Sequence, residues 1–369
     1  VKVLYLLRYY PTLTETFVNG ELALLRERGL DLTVASLGAR ADGALQDELP
    51  DLPVWAVPRR SLRGWLSTPS AGARWLAAWQ RPKDVRRYTW LLSEVARDRP
   101  DRVHVHFAGE AAEWAFALSL DLGLPFTVTV HAVDLFKPRP ALGEVLRGAA
   151  AVVTESAFHV RALAVHGVSA VVVRCGPDLD RFVPRPLPDG PLRALFVGRD
   201  VPKKGLDTLL QAWPSAPQGS TLSLITDARA ALPAGVERLG LLPPAGVRAA
   251  LAAANLFVLP CRRAADGDMD GVPLALMEAM AMGRPVISTA LSGIPELVDE
   301  RVGWLLPADD APTLAQALVG ALGAAADPVE RARRGAAGPA RLVEGGFSRE
   351  AQAEGMIRVW QGRSLRPVA

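Results

Sequence analysis

Short apolar runs alternate with longer amphipathic stretches along the whole chain. In the first half, residues 1–7, 32–37, 102–107, 126–131, 151–154 and 170–174 read as strands; in the second half, 194–198, 222–226, 256–260 and 285–289 do. Between them, 17–28, 111–120, 206–213, 245–253 and 274–282 carry the helical period. Val- and Leu-rich runs without polar alternation predict strands buried on both faces, as in parallel sheets covered by helices. The fold class is therefore α/β, built twice. Residues 180–193 hold Pro184, Pro186, Pro188 and Pro191, which suit neither a helix nor a central strand and read as a linker. The expected domains are 1–183 and 184–347, followed by a helical segment at 348–369. In doubly wound sheets ligands sit beyond the carboxyl ends of the strands, so two such domains facing each other would bind in a central cleft.

The length of 369 residues agrees with two domains, at about 100–200 residues each. A hydrophobic share of 50% with 22% charged residues excludes a disordered chain, and a net charge of +3 gives no reason to expect nucleic acid. Cys175 and Cys261 are too few for a disulfide framework, which points to a reducing compartment. No apolar run approaches the ~18 residues of a membrane span. Arg8 interrupts the opening run too early for a signal-peptide core, so the expected location is cytoplasmic.

Candidate chemistry concentrates in Asp266-Gly-Asp-Met-Asp270-Gly271-Val272-Pro273-Leu274-Ala-Leu-Met-Glu278, which leads to Gly283 and Pro285. Pro273 suits a first helical turn and Gly283 an end, predicting a helix of about ten residues. Its free N–H groups would favour a phosphate, and Asp270 and Glu278 could accept bonds from sugar hydroxyls. The segment also opens like a calcium loop, but position twelve is Met277 and no helix precedes it, so a metal role is set aside and Asp266 and Asp268 read as solvated loop. A second constellation is Gly198-Arg199-Asp-Val-Pro-Lys203-Lys204-Gly205. Here Arg199 and Lys204 could converge on a diphosphate, while Lys203 reads as an exposed basic residue. His104 and His106 alternate on one strand and with His131 suggest a three-histidine metal site; without an acidic partner at ligand spacing, residues lining a cleft are the better reading. His159 and His166 read as surface or packed residues, and both cysteines as packing.

Together these segments resemble the retaining glycosyltransferases of family 4, which have the GT-B fold of two Rossmann-like domains. The carriers are Gly198-Arg199-x4-Lys204-Gly205 and Asp270-x7-Glu278, the latter standing where the family has Glu-x7-Glu. Pro11-Thr-Leu-Thr14-Glu15-Thr16-Phe17, Val103-His104-Val-His106-Phe107-Ala108, His131-Ala-Val-Asp134, Gly176-Pro-Asp178-x3-Phe182 and Ser292-Gly293-Ile-Pro295-Glu296 resemble its exopolysaccharide, colanic-acid-type branch. The resemblance implies a nucleotide-diphospho-sugar donor, transfer to a glycan or lipid-linked acceptor, and no metal or other cofactor. It implies that Arg199 and Lys204 hold the diphosphate and Glu278 the ribose. Asp270 with the backbone of Gly271, Val272, Pro273 and Leu274 would hold the sugar, and His131 would lie near the reacting face. Thr14, Glu15 and Thr16 are the N-terminal loop residues that would contact the donor, and the C-terminal helix would pack back on the first domain. Asp270, one methylene shorter than Glu, implies a different sugar or a weakened enzyme, so the alternative is a non-catalytic sugar-nucleotide-binding protein.

One charge feature lies outside these motifs. Residues 57–99 carry ten basic and three acidic side chains, a local +7, and Trp55, Trp65, Trp75, Trp79 and Trp90 fall in or beside them. Tryptophan with arginine suits an anionic membrane surface, here through 55–99 at the inner face of the plasma membrane. The same composition suits a helical insertion whose tryptophans pack on the domain.

Overall fold

The computed structural model describes residues 1–13, 15–39, 49–59, 69–80, 82–137, 139–308 and 310–363. Its contacts divide the chain into two compact units. The first comprises Val1–Thr154, Val160–Val173 and Gly355–Ala369; the second comprises Glu155–His159 and Arg174–Glu354. The proline-rich stretch 180–193 lies inside the second unit.

The first unit carries β1 (Lys2–Leu7), α1 (Thr16–Glu27), β2 (Asp31–Ser36), β3 (Val54–Ala56), α2 (Ala71–Trp79), α3 (Pro82–Asp98) and β4 (Arg102–His106). It continues with α4 (Glu110–Leu122), β5 (Phe126–Val130), α5 (Ala132–Phe136), α6 (Leu142–Gly148), β6 (Ala151–Thr154), most of α7 (Ala157–Ala164), and β7 (Val171–Val172). Its seven strands are all parallel in the order β3-β2-β1-β4-β5-β6-β7. The interior strands are buried on both faces, which is why they read as unbroken apolar runs. Register sets Tyr5 beside His104, His104 beside Thr127, and His106 beside Thr129. Polar side chains therefore form a row near the carboxyl ends of central strands.

The second unit holds β8 (Arg193–Val197), α8 (Leu206–Ala212), β9 (Thr221–Ile225), β10 (Val236–Arg238), α9 (Pro244–Ala253), β11 (Leu256–Val258) and α10 (Leu274–Ala281). They are followed by β12 (Val286–Thr289), β13 (Gly303–Leu306), α11 (Ala311–Ala324), α12 (Pro328–Gly345) and the start of α13 (Arg349–Trp360). Six parallel strands run β10-β9-β8-β11-β12-β13. Both sheets thus reverse strand order at one point, beside β1 and β4 in the first and β8 and β11 in the second. At such points the loops part and leave a crevice at the strand ends. The last residues of α13 belong to the first unit, where Trp360 Nε1–H donates to Thr127 Oγ1 at 3.1 Å.

Helices α2 and α3 contain the described part of the basic, tryptophan-rich stretch. Their Leu76, Tyr88, Leu91 and Val95 enter the first core, and Trp55, Trp75 and Trp90 pack against it. Asp121 of α4 ties both helices down, accepting from Ser70 Oγ (2.6 Å), the Gly72 N–H (2.7 Å) and the Tyr88 hydroxyl (2.6 Å). Trp79 is exposed, and Trp65 lies outside the described residues. Among the described residues, no helix is long and apolar enough to cross a membrane.

Candidate functional site

In the second unit, β8 ends at Val197 and the chain turns through Gly198 and Arg199 into a short 3-10 turn, Pro202–Lys204. Gly205 follows with φ +67°, and a Cβ there would lie 2.0 Å from the Pro260 carbonyl oxygen. Only glycine lets this loop lie against the end of β11. Arg262 fixes the loop from that side: its N–H donates to the Lys203 carbonyl and its Nε–H to the Pro202 carbonyl, both at 3.0 Å.

The cations of this loop meet the acids of the 266–270 loop. Lys204 Nζ lies 2.7 Å from Asp270 Oδ2, and Lys203 Nζ lies 3.5 Å from Asp270 Oδ1 and 3.2 Å from Asp268 Oδ1. Cys261 Sγ approaches the same Asp270 Oδ2 at 3.4 Å. Two expectations are corrected here. Lys203 is buried and ion-paired rather than an exposed basic residue, and Asp268 is its partner rather than solvated loop. Cys261, read as packing, bonds to the central carboxylate. Arg199 is exposed. Burial pushes the Asp270 pKa up, but Lys204 and Lys203 outweigh it and hold the carboxylate below its ordinary value. Burial likewise pulls Lys204 down, and Asp270 reverses this, leaving its pKa raised. The Cys261 thiol is pushed well up by burial and by Asp270, so it stays protonated.

Pro273 is the N-cap of α10 rather than its first residue, and the helix is eight residues long. Glu278 lies within it, half-buried. Gly271 and Val272 are buried before it, and a Cβ on Gly271 would fall 1.9 Å from Glu155 Oε1 and 2.7 Å from His159 Cε1. Glu155 is thus a carboxylate pressed on the Gly271 backbone that sequence reasoning missed. His159 is fully buried, its Nε2 3.2 Å from Ser292 Oγ, whereas His166 is exposed. Glu296, from the Ser292-Gly293-Ile-Pro295-Glu296 motif, accepts from the N–H groups of Ala157 (3.2 Å) and Phe158 (3.0 Å) and pairs with Arg174 at 2.9 Å. That motif residue caps the first turn of α7.

In the first unit, α1 begins at Thr16 with Glu15 as N-cap, both half-buried; Thr14 lies outside the described residues. His131 is the N-cap of α5, and its N–H donates to Asp134 Oδ2 at 2.9 Å. His131 Nε2 is 3.2 Å from His106 Nδ1, and His106 Nε2 is 3.2 Å from Glu21 Oε1. The acidic partner found missing in the sequence therefore exists, supplied by α1. Its signal was a carboxylate among Val18, Leu22 and Leu25 on the apolar face of that helix. Burial pushes Glu21 up, but His106, His104 and Tyr5 together hold it at about 2. Burial, with His106 close by, pulls His104 down to about 3. Glu21, His104 and His106 each place one ligand atom within 4.8 Å of the others, so they could hold a metal. Those residues already face hydrogen-bond partners, His104 bonding Thr127 (2.8 Å) and Thr129 (3.3 Å). The other group of that kind among the described residues, Asp178, Asp180 and Glu350, is already engaged by Arg349.

Comparison with known proteins assigns both halves. Residues 14–181 match the family model "Glycosyltransferase Family 4" and residues 191–323 match "Glycosyl transferases group 1". A protein of Escherichia coli assigned as a colanic acid biosynthesis glycosyltransferase is 42% identical over 165 residues, 40% of each chain. The amylovoran biosynthesis glycosyltransferase of Erwinia amylovora is 41% identical over 144 residues, 35% of each chain. The match thus spans well under half the length of these relatives. The solved structure of Anabaena HepE with UDP-glucose superposes with a TM-score of 0.76 at 16% identity, covering 98% of this chain and 100% of that one. The fold, two Rossmann-like parallel-sheet domains, is that of the GT-B proteins.

Proposed function

The chain joins a Glycosyltransferase Family 4 domain to a Glycosyl transferases group 1 domain, and from that premise we propose that it transfers a sugar from a nucleotide-diphospho-sugar to a glycan or lipid-linked acceptor. The reaction retains anomeric configuration and uses no metal. The observation that carries this reading is the pairing of Lys204 with Asp270 beside the strand-order reversal at β8 and β11. Arg199 and Lys204 supply positive charge where a diphosphate leaving group gains negative charge, which lowers the barrier to breaking its bond to the sugar. The donor competes with Asp270 for Lys204, and a displaced Asp270 keeps Lys203 as a counter-charge. Its carboxylate and the N–H groups at the start of α10 then accept and donate to sugar hydroxyls, with Glu278 on the ribose and His131 facing the sugar. Thr16 and Glu15 are the donor contacts of the first unit in this reading. The UDP-glucose held by the Anabaena protein supports a uridine donor as the first choice to try.

A thermal-shift panel of UDP-, GDP-, ADP- and TDP-sugars, with and without EDTA, tests donor binding. A donor at a hundredfold its Kd stabilises by about 2.7 kcal/mol. The expected result is a selective shift unchanged by EDTA and lost in Lys204→Ala. A shift that EDTA abolishes contradicts the metal-free reading, and the absence of any shift contradicts the donor site.

A further inference from the structure

A hydrogen-bonded chain that ends on His131 runs wholly through the first unit. Tyr5 sits on β1, Glu21 on α1, His106 at the end of β4, and His131 one residue past β5; all are buried, and His131 is the most accessible of the four at 8%. The Tyr5 hydroxyl donates to Glu21 Oε1 at 2.5 Å, and the same oxygen faces His106 Nε2. Glu21 Oε1 accepts from Tyr5, and a carboxylate oxygen has no proton to give His106. His106 Nε2 therefore donates to Glu21, and a singly protonated ring then turns an Nδ1 lone pair toward His131. That contact is completed only by a donor, which assigns the His131 proton to Nε2. Aromatic rings box the pair: Phe17 lies 5.1 Å from the His131 ring and 5.6 Å from that of His106, and Phe107 lies 4.3 Å from His131. Phe107 holds this place with φ +69°, a conformation a bulky residue adopts only when its surroundings impose it.

We propose that Glu21 and His106 are positioning residues that hold His131 in its Nε2–H tautomer and in one ring orientation. The role in transfer rests on the reading above that His131 faces the donor sugar; the tautomer does not. A carboxylate that fixes an imidazole through its far nitrogen is a general device for orienting a histidine at a reacting centre. Here the carboxylate acts through an intermediate histidine, and Tyr5 supplies its second bond.

Long-range 1H–15N correlation spectra of the full chain at pH 8 read the tautomer directly. Only five histidines contribute, and His131→Gln assigns the signal. Wild type is expected to show a single Nε2–H pattern for His131. His106→Phe keeps the ring packing but removes the acceptor, and is expected to give a tautomer mixture. His106→Asn, whose side-chain oxygen can accept, restores the single form. Glu21→Gln, whose amide donates as well as accepts, also gives a mixture, and serves if the phenylalanine variant does not fold. In donor turnover, His106→Phe is expected to lower kcat at least about tenfold with donor KM within about twofold, and His106→Asn to recover most of it. An Nδ1–H or mixed form in wild type, or an unchanged tautomer in both His106→Phe and Glu21→Gln, overturns the proposal. A fixed tautomer that needs His106, in a wild type that turns over no donor, upholds the positioning and removes the donor reading instead.

Discussion

Asp270 is the residue on which the candidate site closes. Its carboxylate pairs with Lys204 and Lys203 and accepts from Cys261 beside the ends of β8 and β11. Asp270→Asn keeps the shape and removes the charge, so a loss of about 1.5–3 kcal/mol is expected, as for a hydrogen bond to a charged group. The sign of its pH dependence follows from both partners. The Asp270 pKa is lowered by folding, so its contribution is present above the ordinary aspartate range and fades as pH falls through the folded value. The Lys204 pKa is raised, so its contribution is present below the ordinary lysine range and fades as pH rises through the folded value. Urea titrations of both proteins at several pH values should show a difference that is level near neutrality and shrinks at both extremes; a difference that persists unchanged in acid contradicts the ion pair. Of this cluster, the meeting of Lys204 with Asp270 was legible in part, because charge and motif spacing single out both residues. Lys203, Asp268, Cys261 and Glu155 were not, because their partners come from other loops and only folding brings them together.

The elements themselves were legible where burial is two-sided. Central strands such as β1, β5 and β12 read directly as apolar runs, with ends off by a residue or so. The strands without a matching run in the sequence, β3, β10 and β13, are edge strands of their sheets, only three or four residues long, where one side lacks a partner. Their place was fixed by pairing, which the sequence does not display. The tryptophan-rich insertion shows the converse: its composition fitted two readings, and the packing of Trp55, Trp75 and Trp90 on the first core uses the apolar part for stability. What remains for a membrane among the described residues is Trp79 and arginine charge, which salt screens over about 8 Å at physiological ionic strength. Pelleting with anionic vesicles is accordingly expected to be weak at low salt and lost at physiological salt; retention at physiological salt would contradict the packed-insertion account.

At the scale of the whole molecule, two doubly wound sheets each reverse strand order once, and each reversal carries the polar residues of its unit. The first gathers Tyr5, Glu21 and three histidines; the second gathers two lysines, Arg199 and the acids before α10. That placement, with the matched domains, makes a transferase the coherent reading, while a protein that only binds a sugar nucleotide would share most of it. Release of nucleoside diphosphate from the donor, with the anomeric configuration of the product read by NMR, separates the two. The account predicts release with retention by wild type, and its loss in Arg199→Ala and Lys204→Ala. Donor binding without release under any acceptor, or a product of inverted configuration, would contradict it.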